Sequence, residues 1–345
     1  MSMNSCYDRV LNDSCIDWEK LKGSSVLVTG GTGLIGSVLV RSLLHANKNA
    51  DSGIKISITA RNINKVKNIF GNNSGINVIA ADFTKDNAIT GQFDYIVHCA
   101  AVTESAKMCS NPVETIDTSY NGTKTMLELA RTSGTKGMVY ISSMEVYGVT
   151  DDSMNPISED KLGKVDLGNV RSSYPGSKRI CELLCTSYAS EYGVPVVSAR
   201  LAQSFGPGVS CTESRVFAQF AKSIIKGEDI VLHTKGDSVG NYCDTTDTAA
   251  AILCLLTKGT AGESYNICNE TCARTIAEMA SLCADDLAGG KIKVVFDIPE
   301  GNKFGYAPPT KMRLTSEKMR SLGWSPKFSL EDMYRRMIEG WNEQV

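Results

Sequence analysis

Short apolar runs alternate with longer stretches that are apolar at helical spacing over the first 200 residues. Such runs are typical of strands buried on both faces of a parallel sheet. They lie at Val26–Val28, Ile54–Thr59, Asn77–Ala81, Asp94–Cys99, Gly137–Ser142 and Val194–Arg200. Between them the spacing predicts helices at Leu34–His45, Pro112–Ser133 and Tyr174–Tyr192. This alternation predicts an α/β fold, a Rossmann-type doubly wound parallel sheet.

The alternation loosens after residue 200, which predicts a second, smaller unit. Helices are expected at Arg215–Lys226, Asp247–Leu256 and Leu330–Glu343, and strands at Ile230–His233 and Ser264–Ile267. The predicted units are an N-terminal arm at 1–22 with a short helix near Ile16–Leu21, a sheet domain at 23–200, and a smaller C-terminal α/β domain at 201–345. Segments from 235–265 are expected to return to the sheet domain. Because no low-complexity linker separates the units, we expect the functional site between them.

Composition is that of a soluble globular protein and argues against several partners. The 345 residues carry a net charge of −2, with 42% hydrophobic and 21% charged residues. A nucleic-acid or membrane partner usually requires a basic surface. No apolar run reaches the ~20 residues that a membrane span needs, and the N-terminal segment lacks the apolar region of a secretion signal. A cytoplasmic location is therefore expected.

The chain has 12 cysteines but only 3 histidines. Cys181 and Cys185 are four residues apart, as are Cys268 and Cys272. On a helix this spacing places both thiols on one face, where they could form half of a metal site. Since the histidines are widely spread, buried apolar thiols in the reduced state are favoured. No metal site is predicted.

The first motif with chemical meaning is the Gly-rich turn between the first predicted strand and the first predicted helix. Glycine at these positions permits a tight turn, close approach to a pyrophosphate and close packing of helix on strand. The free N–H groups at the helix N-terminus would bind the phosphates of a dinucleotide. A merely flexible turn is the disfavoured alternative in this context. The predicted cofactor-binding residues here are Gly30, Thr32, Gly33, Leu34, Ile35 and Gly36.

The end of the second predicted strand bears on the choice between NAD and NADP. A site that prefers NAD usually has an acidic residue there, which binds the ribose 2′-hydroxyl, but this chain has Arg61 and no carboxylate. Arg61 would either bind a 2′-phosphate or remain a solvated surface residue, so NADP is slightly favoured over NAD. Asp82 and Phe83 are expected to contact the adenine. Ala100 and Ala101 would let the cofactor pass close to the backbone.

A tyrosine and a lysine four residues apart, Tyr174 and Lys178, share one face of a predicted helix. The ammonium is expected to lower the pKa of the phenol and to bind the nicotinamide ribose. The phenol would then exchange a proton with a sugar hydroxyl as hydride is transferred. Ser143 would hydrogen-bond the same oxygen, although a serine at a strand end is alternatively a helix cap or turn residue. Glu145 would point into the same cleft and completes the predicted catalytic set.

Together these residues resemble the extended short-chain dehydrogenase/reductase family, and within it the nucleotide-sugar epimerase/dehydratase branch. The resemblance extends from about residue 23 to the C-terminus. It includes Pro112–Thr123, Arg200 before Phe205–Gly208, and Leu322–Pro326. Two further stretches are most similar to the UDP-glucuronate decarboxylase-like subgroup. They are Val170–Glu182 and Tyr242–Cys243 before Asp247. The resemblance implies a C-terminal sugar-nucleotide domain, a nucleotide-sugar substrate and a homodimer that pairs through the two long helices.

Four positions depart from the family pattern and affect the expected reaction. Met144 stands where dehydratases carry an aspartic acid, and Gly240 stands where an arginine near the sugar diphosphate is usual. Ser119 and Gln203 each replace an asparagine. The Ser–Tyr–Lys set is intact, so activity is still expected. The residues predicted to bind substrate are Ser143, Met144, Gln203, Arg215 and Phe217.

The leading functional hypothesis is an NAD(P)-dependent enzyme that oxidises a nucleotide sugar at C4, with 4-epimerisation or 4-keto reduction ranked first. Decarboxylation of a UDP-glucuronate-like substrate ranks second, and 4,6-dehydration last. A non-catalytic dinucleotide-binding sensor is the alternative from another class, but such proteins commonly lack the Tyr–Lys pair. A reductase for a small carbonyl compound is disfavoured because it would not need the long C-terminal region.

Overall fold

The computed structural model describes residues 3–71, 75–84, 89–300 and 310–342. The ends of the predicted N-terminal arm and of the predicted last helix, residues 1–2 and 343, lie outside the described residues. The helices are α1 (Met3–Leu11), α2 (Trp18–Leu21), α3 (Leu34–Ala50), α4 (Ile63–Phe70), α5 (Ser105–Ser110), α6 (Pro112–Ser133), α7 (Ser173–Tyr192), α8 (Val216–Lys226), α9 (Thr245–Lys258), α10 (Ile276–Leu282), α11 (Glu317–Arg320) and α12 (Leu330–Asn342).

The strands form one large sheet and two small ones. In chain order they are β1 (Ser25–Thr29), β2 (Lys55–Ala60), β3 (Ile76–Ala80), β4 (Tyr95–His98), β5 (Gly137–Ser143), β6 (Val196–Leu201), β7 (Gln203–Phe205), β8 (Ile230–Leu232), β9 (Val239–Asp244), β10 (Ser264–Ile267), β11 (Asn269–Thr275) and β12 (Val294–Phe296).

The large sheet has seven strands in the order β10-β6-β5-β4-β1-β2-β3, and all of its pairings are parallel. Its inner strands β1, β4, β5 and β6 are almost wholly buried, as expected where helices cover both faces. The strand order reverses beside β1, which pairs with both β2 and β4. The predicted doubly wound α/β fold is confirmed, and ligands of such sheets bind at the carboxyl ends of the strands beside this reversal.

The N-terminal arm contributes to the core of the large sheet. Helix α1, which the sequence pattern did not predict, buries Tyr7 and Val10, and Arg9 forms an ion pair of 3.0 Å with the fully buried Asp247 of α9. Helix α1 has only nine residues, and four of them are polar, so the apolar pattern there is short and weak.

A second core lies in the C-terminal part of the chain, where α8, α10 and α12 pack around the three-stranded sheet β11-β9-β7. At its centre Phe205 stacks on Phe217 with ring centroids 4.6 Å apart, and the edge of Tyr334 approaches the same ring at 5.0 Å. By contrast, β10 joins the edge of the large sheet and α9 packs in its core. Within the described ranges, no helix has the length and apolarity that crossing a membrane requires.

Candidate active site

The Gly-rich turn lies between β1 and α3, at the reversal point of the sheet. Gly30 has φ +63°, and a Cβ there would lie 3.0 Å from the backbone of Ala100. A Cβ on Gly36 would lie 2.4 Å from the Gly30 carbonyl oxygen, so neither position tolerates a side chain. The N-cap residue of α3, Gly33, has no side chain to cap the helix. The N–H groups of the first turn are therefore available to phosphates, which fits a dinucleotide.

Two threonines that sequence reasoning did not single out hold this turn in place. Thr29 Oγ1 accepts a hydrogen bond of 3.2 Å from the Ala100 backbone N–H and lies 2.7 Å from His98 Nδ1. Thr59 Oγ1 accepts one of 3.2 Å from the Gly30 N–H. The turn is thereby tied to the ends of both neighbouring strands. The position of each threonine at a strand end, beside the glycine motif, was the available signal.

The remaining residues predicted to bind the cofactor all follow strands at this same edge of the sheet. Arg61 is exposed after β2, and Ala100 and Ala101 are half-buried after β4. Asp82 accepts hydrogen bonds from the Thr84 N–H and hydroxyl. The remaining positions are Phe83, which is buried with its ring centroid 5.7 Å from that of His98, and Thr32, Leu34 and Ile35, which are half-buried at the start of α3.

The structure brings Ser143, Tyr174 and Lys178 together. Ser143 ends β5, and its hydroxyl lies close enough to the phenol of Tyr174, in the first turn of α7, to lower the pKa of that phenol. Ser143 Oγ also accepts a hydrogen bond of 3.2 Å from the Glu145 N–H, so this serine caps a short 3₁₀ turn as well. Lys178 lies one turn further along α7 and donates a hydrogen bond of 2.7 Å to the Ile141 carbonyl. The arrangement suits proton exchange between the phenol and a substrate hydroxyl.

The expectation that Lys178 lowers the pKa of the Tyr174 phenol is wrong for the chain by itself. Burial raises the pKa of Tyr174 to about 12 and outweighs the effect of the Ser143 hydroxyl, which lowers it. Burial also lowers the pKa of Lys178. A low-dielectric environment disfavours the charged form of both groups. Sequence spacing places the pair on one face of a helix but does not reveal how deeply that face is buried.

Three charged side chains act electrostatically on the phenol. The Glu145 carboxylate raises the pKa of Tyr174, while the guanidinium groups of Arg171 and Arg215 lower it. Glu145 is held by an ion pair of 2.9 Å with Arg171, and Arg215 forms one of 2.7 Å with Glu213. Arg171, which lies within the family-like stretch Val170–Glu182, thus joins the candidate site.

The other residues predicted to bind substrate differ in position. Met144 is half-buried beside the cluster that contains Tyr147, and Gln203 is half-buried in β7, paired with Tyr242. The Phe217 side chain instead lies fully buried in the second core, where its ring stacks on Phe205. This position makes Phe217 a core residue of α8 and not a residue that could contact substrate as predicted.

At Gly240, where the family usually has an arginine, the structure leaves no space for a side chain because Tyr242 of the same strand occupies it. A Cβ at this position would lie 2.2 Å from the hydroxyl oxygen of Tyr242, which is itself fully buried. No side chain fits at position 240 while Tyr242 keeps this place. Any positive charge for an anionic substrate must therefore come from other residues, and Arg171 and Arg215, whose charges lower the pKa of the Tyr174 phenol, are candidates for this role.

A buried ion pair fixes the catalytic helix to the sheet. Glu182, one turn after Lys178, accepts hydrogen bonds from Arg200 Nε at 3.0 Å and Nη2 at 2.7 Å. The Ser142 hydroxyl donates to the same carboxylate. Arg200 also donates to the Tyr147 hydroxyl at 3.0 Å. This network joins α7, β5 and β6 directly beneath Ser143 and Tyr174.

The cysteines show no sign of a metal centre in the parts of the chain that the structure describes. Nine of the 12 cysteines are buried and all are free thiols. Cys181 and Cys185 both point into the core beside α7. Among the described residues, no three His, Cys, Asp or Glu side chains are grouped so that they could hold a metal ion.

Comparison with known proteins places these features in one family. The model of the NAD dependent epimerase/dehydratase family matches residues 26–268. The chain is 29% identical over 308 residues to UDP-glucuronic acid decarboxylase 6 of Arabidopsis thaliana, covering 89% of this chain and 85% of the relative. An epimerase of Methanothermobacter thermautotrophicus superposes with a TM-score of 0.79 at 22% identity, covering 96% of each chain. A dTDP-glucose 4,6-dehydratase of Streptomyces venezuelae, solved with NAD bound, superposes with a TM-score of 0.75 at 25% identity, covering 92% of this chain and 97% of that one.

Proposed function

The chain belongs to the NAD dependent epimerase/dehydratase family, and from this we propose that it oxidises a nucleotide sugar at C4 and then reduces the ketone. The single observation that carries the proposal is the grouping of Ser143, at the end of β5, with Tyr174 and Lys178 of α7, where Lys178 Nζ lies 5.6 Å from the centroid of the Tyr174 ring. When bound beside the Gly-rich turn, NAD or NADP would accept hydride from C4 and return it.

In the oxidative step, Tyr174 removes the proton of the C4 hydroxyl while the C4–H bond gives up hydride. Ser143 donates a hydrogen bond to the same oxygen and fixes its position. In the reductive step, the phenol returns the proton to the carbonyl oxygen as hydride adds to C4. Addition to the opposite face of the sugar yields the 4-epimer. Apart from the hydride that the cofactor would carry, these steps require only Ser143, Tyr174 and Lys178.

Dehydration at C5 and C6 is disfavoured by Met144. That elimination needs an acid for the leaving C6 hydroxyl and a base for the C5 proton, and a thioether is only a weak acceptor with no proton to donate. Glu145 remains as a base, but it is already engaged with Arg171. One carboxylate cannot serve both ends of the elimination, so 4-epimerisation or 4-keto reduction is ranked above it.

Decarboxylation of a uronic acid is the second candidate. It is favoured by the similarity to UDP-glucuronic acid decarboxylase 6 over 85% of that protein. A 4-keto uronic acid is a β-keto acid, and it loses carbon dioxide without an acid for a leaving group. Arg171 and Arg215 would supply positive charge near the sugar carboxylate, which Gly240 cannot do.

The ranking is tested by incubating the enzyme and NAD or NADP with UDP-glucose, UDP-glucuronate and dTDP-glucose and identifying the products by mass and NMR. We expect a hexose product of unchanged mass with inverted configuration at C4. Loss of water from a hexose would refute the ranking, and loss of carbon dioxide from the uronate would place decarboxylation first. Turnover of any of these sugars excludes the sensor alternative.

The choice of cofactor is predicted from Arg61. This residue is exposed at the end of β2, where a ribose 2′-phosphate would lie. We expect NADP to bind at least as tightly as NAD, and Arg61→Ala to weaken NADP binding about tenfold or more, with little change for NAD. Isothermal titration with both cofactors measures this. Lys65→Ala, which removes an exposed cation one turn into α4, is the control, and an unchanged NADP affinity in Arg61→Ala would make this arginine a surface residue only.

We also propose that two copies of the chain pair through α6 and α7. These helices pack against each other and expose Val113 and Ile116 on α6, and Ile180 and Leu183 on α7. Adjacent apolar residues on two long helices are typical of an interface between protein chains. Light scattering of the purified protein distinguishes a dimer from the monomer mass of 37.2 kDa.

A further inference from the structure

The ammonium of Lys178 lies in an unusual setting for a charged group. The side chain is 4% exposed, and within the described part of the chain its single hydrogen bond goes to the Ile141 carbonyl at 2.7 Å. Its Nζ lies over the Tyr140 ring, 4.8 Å from the centroid, and 5.6 Å from the centroid of Tyr174. The charge is therefore flanked by two aromatic faces, each of which attracts a cation.

The Tyr140 ring is held firmly in this position. Its other neighbour is His98, with ring centroids 6.0 Å apart and planes inclined by 31°. His98 is in turn fixed by its contact of 2.7 Å with the hydroxyl of Thr29, at the end of β1. The Tyr140 hydroxyl has no hydrogen-bond partner among the described residues. The ring, rather than the hydroxyl, is thus the part of Tyr140 that interacts with Lys178.

We propose that Tyr140 is a positioning residue for Lys178, whose ring face holds the buried ammonium in its charged form beside the Tyr174 phenol. The importance of this for turnover rests on the proposed function, but the interaction itself does not. The attraction of a cation to an aromatic face is stronger when the cation is desolvated, as Lys178 is here. Tyr140 and Ser143 both lie in β5. The strand that supports the lysine therefore also carries the predicted catalytic serine.

The other groups that face Lys178 do not replace this contact. Burial lowers the pKa of His98 to about 3, so that its ring is neutral. Burial raises the pKa of Cys99 to about 12 and also raises that of Cys185, so these thiols carry no charge near neutral pH. The facing titratable groups are His98 and Cys99 after β4, Tyr140 on β5, and Tyr174, Cys181, Glu182 and Cys185 on α7. Among these groups Glu182 has a carboxylate that could pair with the lysine, but that carboxylate is already paired with Arg200.

The test measures the pKa of Lys178 directly, by ¹³C NMR of protein labelled at lysine Cε, with the resonance assigned by its loss in Lys178→Arg. In Tyr140→Leu we expect the pKa of Lys178 to fall by about one unit or more. In Tyr140→Phe, which keeps the ring, we expect no shift. Tyr95→Leu is the matched control, because Tyr95 is a buried tyrosine at the opposite end of the neighbouring strand. Tyr140→Met serves if the leucine variant does not fold.

An unchanged Lys178 pKa in folded Tyr140→Leu or Tyr140→Met would overturn the proposal, as would a shift of the same size in Tyr140→Phe. The proposed function fails separately, if Lys178→Ala retains full turnover. With the function intact, the base-dependent limb of the pH–rate profile should move in Tyr140→Leu together with the NMR titration, and a purely structural role for Tyr140 would not move it.

Discussion

Replacement of Tyr174 by phenylalanine is expected to lower turnover about 10²–10⁴-fold, while cofactor affinity stays nearly unchanged. The substitution removes the group that exchanges a proton with the substrate. It keeps the ring whose centroid lies 5.6 Å from Lys178 Nζ, so the lysine should stay in place. Turnover is measured under saturating cofactor with the best substrate from the nucleotide-sugar incubation, and cofactor affinity is measured by isothermal titration.

Two further variants separate the chemistry from the structure. Tyr188→Phe removes a hydroxyl from the same helix, where it bonds to Glu128 on α6, and it should leave turnover unchanged. Lys178→Ala should reduce both turnover and cofactor affinity, because the ammonium is expected to serve the phenol and the cofactor ribose. If Tyr174→Phe keeps more than half of the wild-type turnover, Tyr174 is not the catalytic acid or base.

Burial of Tyr174 determines how the rates of the oxidative and reductive steps should change with pH. Because the pKa of Tyr174 is raised to about 12, the phenol keeps its proton at neutral pH. Proton donation, which the reductive step requires, is therefore available at neutral pH. Proton removal, which the oxidative step requires, should become faster as pH rises toward the pKa of the phenol. This rise should disappear in Tyr174→Phe, whose residual rate lacks the titrating group.

The parts of the fold that the sequence predicted are those with a strong local pattern. Strands such as β1 and β5 are buried on both faces, so they appear as continuous apolar runs. The Gly-rich turn was predictable because Gly30 and Gly36 sit where backbone crowding leaves no room for a Cβ. The Tyr–Lys pair was predictable because residues four apart share a helix face.

The parts that the sequence did not predict depend on contacts between distant segments. Helix α1 is short and is fixed by long-range contacts such as that of Arg9 with Asp247. The short strands β7, β9 and β11 pair with one another across long connections, which periodicity cannot detect. The raised pKa of Tyr174 comes from burial by the surrounding elements, whereas the expectation had weighed only the nearby lysine.

Loss of the Glu182 carboxylate is expected to reduce the free energy of unfolding by about 3–5 kcal/mol. In Glu182→Ala, the Arg200 guanidinium would remain buried at 6% exposure without its counter-ion. Burial opposes the charge on Arg200, and the hydrogen bonds with Glu182 nevertheless keep the pKa of Arg200 above its usual value. Urea unfolding followed by tryptophan fluorescence measures the change, since Trp324 is fully buried in the same core as β6.

Two controls test whether the loss of stability in Glu182→Ala comes from the buried Arg200 guanidinium, which has lost its counter-ion. Glu104→Ala removes a carboxylate from the exposed ion pair with Lys107, and it should cost less than about 1 kcal/mol. The double variant Glu182→Leu with Arg200→Met replaces the whole buried pair by apolar groups, which should recover most of the lost stability. A double variant as unstable as Glu182→Ala would mean that the network fixes α7 through its hydrogen bonds to Ser142 and Tyr147. In that case Ser143 and Tyr174 would lose their alignment too, and turnover would fall together with stability.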